Sequence, residues 1–455
     1  MKKDAAMCGV AAVYNLPHAS QVIAKMLHAL QHRACDATGV MTYDGFKHYK
    51  FTAADRASSA LTPENLSKLV GSNGLGHNRY ATTGDSTDKK NIHPLSLKIG
   101  REMFSIVHNG NFPDIQVIEE GVLHETPFFS DTDTERFFHL ILLELKTTDI
   151  LKSIETALGQ MSGSCSAVLM KPFELIAIRD GSGCRPLYWG KSGHGYVVAS
   201  ETCALDDVGV FTYHEVPPGT IISFSAKGIV THALPKGEQN RCSFEKVYYG
   251  YPTSTLDGVQ LADFRRDLGK ALGKEHPTTT DYVVAVPDSS TFIGQGYAQT
   301  LADCSIYDSS ILLRKHDTGR TFILPDTVAR KKAVEQKFSF QTNKIVGKSI
   351  TVIDDSIVRG TTCTRITQCL RDRGATEVHW RIASPHIIGS CHYGIETADP
   401  EQLIATKMND EEICRHIGAD TVSFLSLEQL QAVLAAHGLP AKNSCFACMD
   451  LNYWH

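Results

Sequence analysis

Ser349-Ile-Thr-Val-Ile-Asp-Asp-Ser-Ile-Val-Arg-Gly-Thr-Thr-Cys-Thr-Arg-Ile-Thr-Gln-Cys-Leu-Arg-Asp-Arg-Gly374 is the stretch on which the reading of this chain turns. Ile350 to Ile353 is a β-branched apolar run, which predicts a buried strand, and it stops on two acids, Asp354 and Asp355. A loop with Arg359 and Gly360 follows. Thr361 and Thr362 are placed to cap a helix whose apolar positions Ile366, Cys369 and Leu370 share a face, and Gly374 is placed to close it in the left-handed conformation. Strand, acid pair, glycine loop and helix start form a phosphate site. Glycine lets backbone N–H groups approach an anion, the helix N-terminus adds positive potential, and the carboxylates face sugar hydroxyls or Mg2+. A parallel strand ending in two solvated acids fits the same spacing equally well.

Around this stretch, 455 residues exceed one ordinary core, and two domains of roughly 200 residues each are expected. With 42% hydrophobic and 21% charged residues the composition is that of a soluble globular protein. A net charge of -5 without a basic block gives no reason to expect a nucleic acid partner. No apolar run is long enough to cross a bilayer, and the opening Met1-Lys-Lys-Asp-Ala-Ala-Met7 lacks a signal-peptide core, so a cytoplasmic protein is expected. Thirteen cysteines, an odd number scattered over both halves, argue against a disulfide framework.

Val352-Ile-Asp-Asp-Ser-Ile-Val-Arg-Gly-Thr-Thr362 resembles the phosphoribosylpyrophosphate (PRPP) signature of type I phosphoribosyltransferases, in the form found in amidophosphoribosyltransferases. The resemblance implies that Asp354, Asp355, Arg359, Gly360, Thr361 and Thr362 bind PRPP, and that Ser289, in Pro287-Asp-Ser-Ser290 after the expected strand Tyr282 to Val286, joins the two acids on Mg2+.

Cys8 opens a short apolar strand through a glycine, Cys8-Gly-Val-Ala-Ala-Val-Tyr14. A core thiol is the default for such a cysteine. If the chain is processed to begin at Cys8, its α-amino group, with a reference pKa of about 7.7 to 8.0, can take the thiol proton near neutral pH. Either residues 1–7 are a propeptide or translation starts at Met7. Leu30-Gln-His-Arg33, Gly76-His-Asn-Arg-Tyr-Ala-Thr82, His108-Asn-Gly-Asn111 and Thr132-Asp-Thr-Glu135 then follow in the order of glutamine amidotransferases with an N-terminal cysteine, a similarity that runs from Cys8 to about Val230. It implies Cys8 as nucleophile, Asn109 and Gly110 as oxyanion donors, and Arg79, Thr82 and Asp133 as the residues holding the α-carboxylate and α-ammonium of glutamine. Taken singly, Arg79 could be a surface ion pair, Asn109-Gly110 a hairpin turn and Asp133 a helix cap.

Many strands and helices at 19–32 and 133–145 suit the α-β-β-α sandwich of the N-terminal nucleophile class; the sequence alone supports mixed α and β. The expected division is a glutamine amidotransferase domain at 8–239 and a phosphoribosyltransferase domain with a parallel sheet at 240–455. Of the cysteines, only Cys445-Phe-Ala-Cys448 has metal-ligand spacing. The contexts of Cys242, Cys391, Cys445 and Cys448 resemble the iron-sulfur branch of the family, which implies one [4Fe-4S] cluster; zinc also suits four sulfurs. Cys35, Cys165, Cys184, Cys203, Cys304, Cys363, Cys369 and Cys414 read as packing residues. Arg314 to Lys337 carries seven cations, and Gly319-Arg-Thr-Phe322 within it is similar to the family's closing loop.

The implied activity is synthesis of 5-phosphoribosylamine from PRPP and glutamine, the opening step of purine synthesis, with purine nucleotides as feedback inhibitors and a homo-oligomeric state. Departures from the family pattern are Ala34-Cys35, Tyr251, Thr253, Ser290, Asp317 and Glu335. They leave two rivals: a glutamine amidotransferase with a different acceptor, and a non-catalytic PRPP or nucleotide sensor.

Overall fold

Gly9–Tyr14 is a strand buried on both faces, and its alternation sets the layering of the first half. Val10, Ala12 and Tyr14 point one way, into a core shared with Val107, Val168, Ala177 and Phe224 of a second sheet. Ala11 and Val13 point the other way, against Ile23 and Leu27 of the helix Ala19–Ala29. The computed structural model describes residues 7–80, 88–235, 237–301, 305–315 and 337–454.

The sheet containing Gly9–Tyr14 has seven antiparallel strands, in the order 213–215, 188–192, 195–199, 9–14, 73–79, 37–43 and 48–53. Facing it is a six-stranded antiparallel sheet ordered 228–233, 220–225, 174–179, 164–171, 102–111 and 95–99. Helices Asp133–Glu144 and Ile150–Gly159 cover its outer face through Phe137, Phe138, Ile141 and Ile154. The result is the expected α-β-β-α sandwich. Helix Ala19–Ala29 lies close on its sheet because Gly76 has no side chain: a Cβ there would come within 2.2 Å of Ile23 Cγ2.

The second half holds a five-stranded parallel sheet, in the order 306–307, 282–285, 349–354, 377–382 and 421–424. Val283 and Ile353 face helices Leu261–Glu275 and Thr291–Ala298. Val284, Ile350, Val352 and Trp380 face helices Thr361–Asp372 and Asp410–Ile417. Burial on both faces is why these strands read as continuous apolar runs. The strand expected at 350–353 spans Ser349–Asp354, and Gly374 has φ +88° just beyond the helix it closes. Thr361 and Thr362 differ from expectation. Gly360, at φ 74°, occupies the cap position with no side-chain cap bond, so the two threonines are the first helical residues and their hydroxyls are not spent on capping.

The halves share one hydrophobic core. Met7, Leu27 and Leu30 belong to the same packed cluster as Phe244, Leu268, Tyr393 and Leu434. A buried charge network crosses at the same place. Arg33 pairs with Glu201 and, at 2.6 Å, with Glu245; Glu245 also meets Arg185 at 3.2 Å, and all four side chains are essentially without exposure. Among the described residues no helix is long and apolar enough to cross a membrane.

Candidate functional site

Three sites emerge, one in each half and one between them. Cys8 sits just before its strand, in a cavity of about 270 Å3 empty volume lined by His77, Arg79, Tyr80, His93, His108, Gly110 and Thr132–Thr134. The strand Asn73–Arg79 pairs with Gly9–Tyr14 and delivers His77 and Arg79, while the neighbouring sheet brings Gly110 at the end of the strand Glu102–Asn111. Thus Asn109-Gly110 is strand rather than hairpin turn. Asp133 is the first residue of its helix, whose cap is the Thr132 hydroxyl, accepting from Glu135 N. One Asp133 oxygen accepts from Phe112 N at 3.1 Å and the other from Thr134 N at 2.7 Å, which fixes the carboxylate at the cavity wall.

Burial pushes the Cys8 thiol up, and backbone hydrogen bonding at Tyr80 and the Arg79 charge pull it partly back; the thiol Sγ lies 3.6 Å from the Tyr80 carbonyl oxygen. The Arg33 Nε donates to the Cys8 carbonyl at 2.9 Å and holds the backbone of this residue. Desolvation keeps three histidines neutral: His77 is lowered to about 3, and His93 and His108 are also lowered. These histidines escaped the sequence reading, although two of them stand inside the quoted motifs. Both side-chain polar atoms of Asn109 are buried without a partner among the described residues, an expensive state for an amide unless a ligand completes it. Thr82 lies outside the described residues.

The second site stands at the carboxyl ends of the parallel strands, where ligands bind in such sheets. Asp354 and Asp355 are buried side by side, 6% and 4% exposed. Burial, and then the neighbouring Asp355 charge, push the Asp354 carboxyl well up. The Ser290 hydroxyl donates to Asp354 Oδ1 at 2.9 Å and to Asp355 Oδ1 at 3.3 Å. Ser289 is one step farther out, its Oγ 3.4 Å from that of Ser290. The sequence marked Ser290 only as a departure from pattern. Arg359 donates from Nε to Gln402, and Gly360 through Thr362 form the opening of the helix beyond. Two buried carboxylates flanked by serine hydroxyls fit Mg2+, which takes one or two carboxylates and completes its shell with water and phosphate oxygens. Of the basic run, Arg314 meets Asp288 at 3.3 Å. Asp317, Gly319 to Phe322, Glu335 and Cys304 fall outside the described residues.

Between the halves, Cys242, Cys391, Cys445 and Cys448 line one cavity of about 320 Å3 empty volume, together with Arg185, Phe244 and Tyr393. Short strands Arg241–Cys242 and Ser444–Cys445 pair in parallel, setting Cys242 opposite Cys445. Burial pushes the Cys242 thiol up to about 12. Backbone N–H groups of Glu245 and Tyr393 point at the sulfurs of Cys242 and Cys391, at 3.4 and 3.3 Å. Among the described residues no three ligating side chains are gathered closely enough to grip one ion. Four thiols lining one cavity are a donor set that suits either a zinc ion or an iron-sulfur cluster. Cys184, read as a packing residue, is buried but also lies at this site, hydrogen-bonded to Cys445 and 3.2 Å from Arg185 Nη2.

The cavity at Cys8 is lined by residues from 8 to 134 and does not extend to Asp354. Burial, and then the charge of Glu396 from the second half, push the Tyr80 hydroxyl up.

Residues 77–207 match the glutamine amidotransferase domain family. The chloroplastic amidophosphoribosyltransferase of Glycine max is 37% identical over 98% of this chain and 78% of its own length. The amidophosphoribosyltransferases of Bacillus subtilis and Methanocaldococcus jannaschii are 35% and 34% identical, covered over 94% and 97% of their lengths. Among solved structures, the glutamine PRPP amidotransferase of B. subtilis complexed with ADP and GMP superposes with a TM-score of 0.90 at 35% identity, over 98% of this chain and 97% of that one. A sandwich carrying a half-buried cysteine at a cavity, a parallel sheet ending on an acid pair and likeness over nearly the whole length lead to one conclusion: the chain belongs to the amidophosphoribosyltransferase family, glutamine amidotransferases of purine biosynthesis.

Proposed function

We propose that this chain makes 5-phosphoribosylamine by releasing ammonia from glutamine at Cys8 and using it to displace pyrophosphate from PRPP held at Asp354–Thr362. The observation that carries the reading is the wall of the Cys8 cavity, where a cation, a fixed carboxylate and a glycine backbone surround one thiol. Arg79 pairs with the α-carboxylate of glutamine, assisted by Thr82, and Asp133 with its α-ammonium, which tells glutamine from other amides. With residues 1–7 removed, the freed α-amino group of Cys8 takes the thiol proton, and the sulfur attacks the carboxamide carbon. The Asn109 side chain and the Gly110 N–H stabilise the oxygen that becomes negative; collapse gives a thioester and ammonia, and water then releases glutamate.

In the second half, Gly360, Thr361 and Thr362 hold the 5-phosphate at the open helix terminus, with Arg359 beside them. Asp354, Asp355, Ser289 and Ser290 would hold Mg2+ with the ribose hydroxyls; when bound it supplies charge neutralisation to the departing pyrophosphate. The protein's own contribution is to present the anomeric carbon to ammonia and keep water away. Cys242, Cys391, Cys445 and Cys448 would carry a [4Fe-4S] cluster with every position filled by protein, a structural role. The amidotransferase domain is 8–239 and the phosphoribosyltransferase domain 240–455. A cytoplasmic homo-oligomer completes the reading, with regulation by purine nucleotides, for which the ADP and GMP in the B. subtilis relative are the support.

The test compares pyrophosphate formation from PRPP with glutamine and with added ammonia. Cys8→Ala loses the glutamine reaction and keeps the ammonia reaction. Glutaminase activity without pyrophosphate would point to another acceptor, and a protein inert to both nitrogen sources to a sensor.

A further inference from the structure

Gly110 is pressed from outside by a turn that belongs to the other half of the chain. A Cβ on Gly394 would lie 2.7 Å from the Gly110 carbonyl carbon and 2.8 Å from its Cα and O, so the two backbones touch and leave room for no side chain. Gly394 also has φ +103°, where L side chains are rare. The contact is fastened on both sides. Asn111 Nδ2 donates to the His392 carbonyl at 2.8 Å, and Ser164 Oγ, opposite Asn111 in the sheet, donates to the Tyr393 carbonyl at 2.6 Å. Three consecutive residues of the turn thus grip the paired ends of two strands, Asn111 and Gly110 on the strand that also carries Asn109, and Ser164 on its neighbour.

The turn itself is held by aromatic packing. Tyr393 stacks on Trp454 with ring centroids 3.4 Å apart, and its hydroxyl donates to the Trp454 carbonyl at 2.7 Å. His392 stacks on Tyr453 at 4.1 Å, and Cys391, the next residue back, is part of the thiol-lined cavity.

We propose that the Cys391–Gly394 turn is a clamp that positions the Gly110 amide as an oxyanion donor, so that glutamine hydrolysis in the first half depends on a backbone contact from the second. The clamp rests on the reading of Cys8 as nucleophile. Gly394, His392 and Tyr393 are positioning residues: none of them lines the Cys8 cavity. Their effect falls on the step in which negative charge develops, not on glutamine capture by Arg79 and Asp133. Losing one well-placed oxyanion donor costs roughly 10²–10³ in kcat.

Gly394→Ala is the direct test. Expected are a fall in glutamine kcat of about 10²-fold, the loss of one oxyanion donor, an unchanged KM for glutamine, and full ammonia-dependent pyrophosphate formation. Labelling of Cys8 separates positioning from simple damage. A glutamine chloroketone, whose carbonyl must become tetrahedral, reacts more slowly in the variant, whereas iodoacetamide, which needs no oxyanion, reacts at the wild-type rate. Asn111→Ala removes one fastening without adding bulk and moves kcat and chloroketone labelling in the same direction by a smaller factor; it decides the matter if Gly394→Ala does not fold. A glutamine kcat equal to wild type in both variants, or glutamine and ammonia turnover falling together, overturns the clamp. Glutamine use surviving Cys8→Ala would instead remove the nucleophile reading, and the clamp with it.

Discussion

Asp354 illustrates a residue held in a costly state, which the Mg2+ and PRPP binding proposed for it would account for. Its carboxyl is pushed up by burial and by Asp355, so the folded protein keeps the proton to a higher pH than the unfolded chain does. The stability linked to this group is therefore fully present below the ordinary aspartate pKa and is lost as pH rises through the folded value. At pH 7.5 without divalent cations, Asp354→Asn should raise the thermal midpoint, by about 2 °C for a relief near 1 kcal/mol, while abolishing PRPP use. A lower midpoint in the variant would show that the acid pair stabilises the empty fold. The acids were legible in the sequence because they end an apolar run, and their companion Ser290 was not. It lies 64 residues earlier, and only the parallel pairing of 282–285 with 349–354 brings its hydroxyl to them.

At the scale of elements, the quoted stretch was legible because strand, loop and helix each follow a local rule. Its one misreading has a local cause as well: a glycine with positive φ took the cap that the threonines were expected to fill. What joins the elements is less visible. Arg33 follows a helix of the first half, Glu201 precedes the short helix Thr202–Asp206, and Glu245 lies in the π-turn Glu245–Tyr249 beyond the proposed boundary. No spacing in the sequence announces that they meet. Glu245 balances both Arg33 and Arg185, and removing one partner of a buried ion pair costs about 3–5 kcal/mol. Glu245→Ala should lower the urea midpoint accordingly and slow glutamine hydrolysis more than ammonia use, since Arg33 also holds the Cys8 carbonyl. An unchanged midpoint would mean that the two arginines find other partners.

For the molecule as a whole, a core that continues from Met7 to Met449 makes the two halves one cooperative body. Calorimetry should record a single unfolding transition, and two resolved peaks would contradict the shared core. The same continuity explains why the composition predicted two domains while the structure ties them through packing, ion pairs and the turn at Gly394. The parallel pairing of Cys242 with Cys445 adds a temporal constraint. Those strands are separated by about 200 residues of synthesis, which take roughly 10–40 s at ribosomal speeds. Throughout that interval Cys242 and Arg185 have been made but the part of the cavity wall formed by Cys445, Ala447 and Cys448 has not. Assembly of that chamber is therefore a late event, one that waits until the ribosome has delivered Cys448.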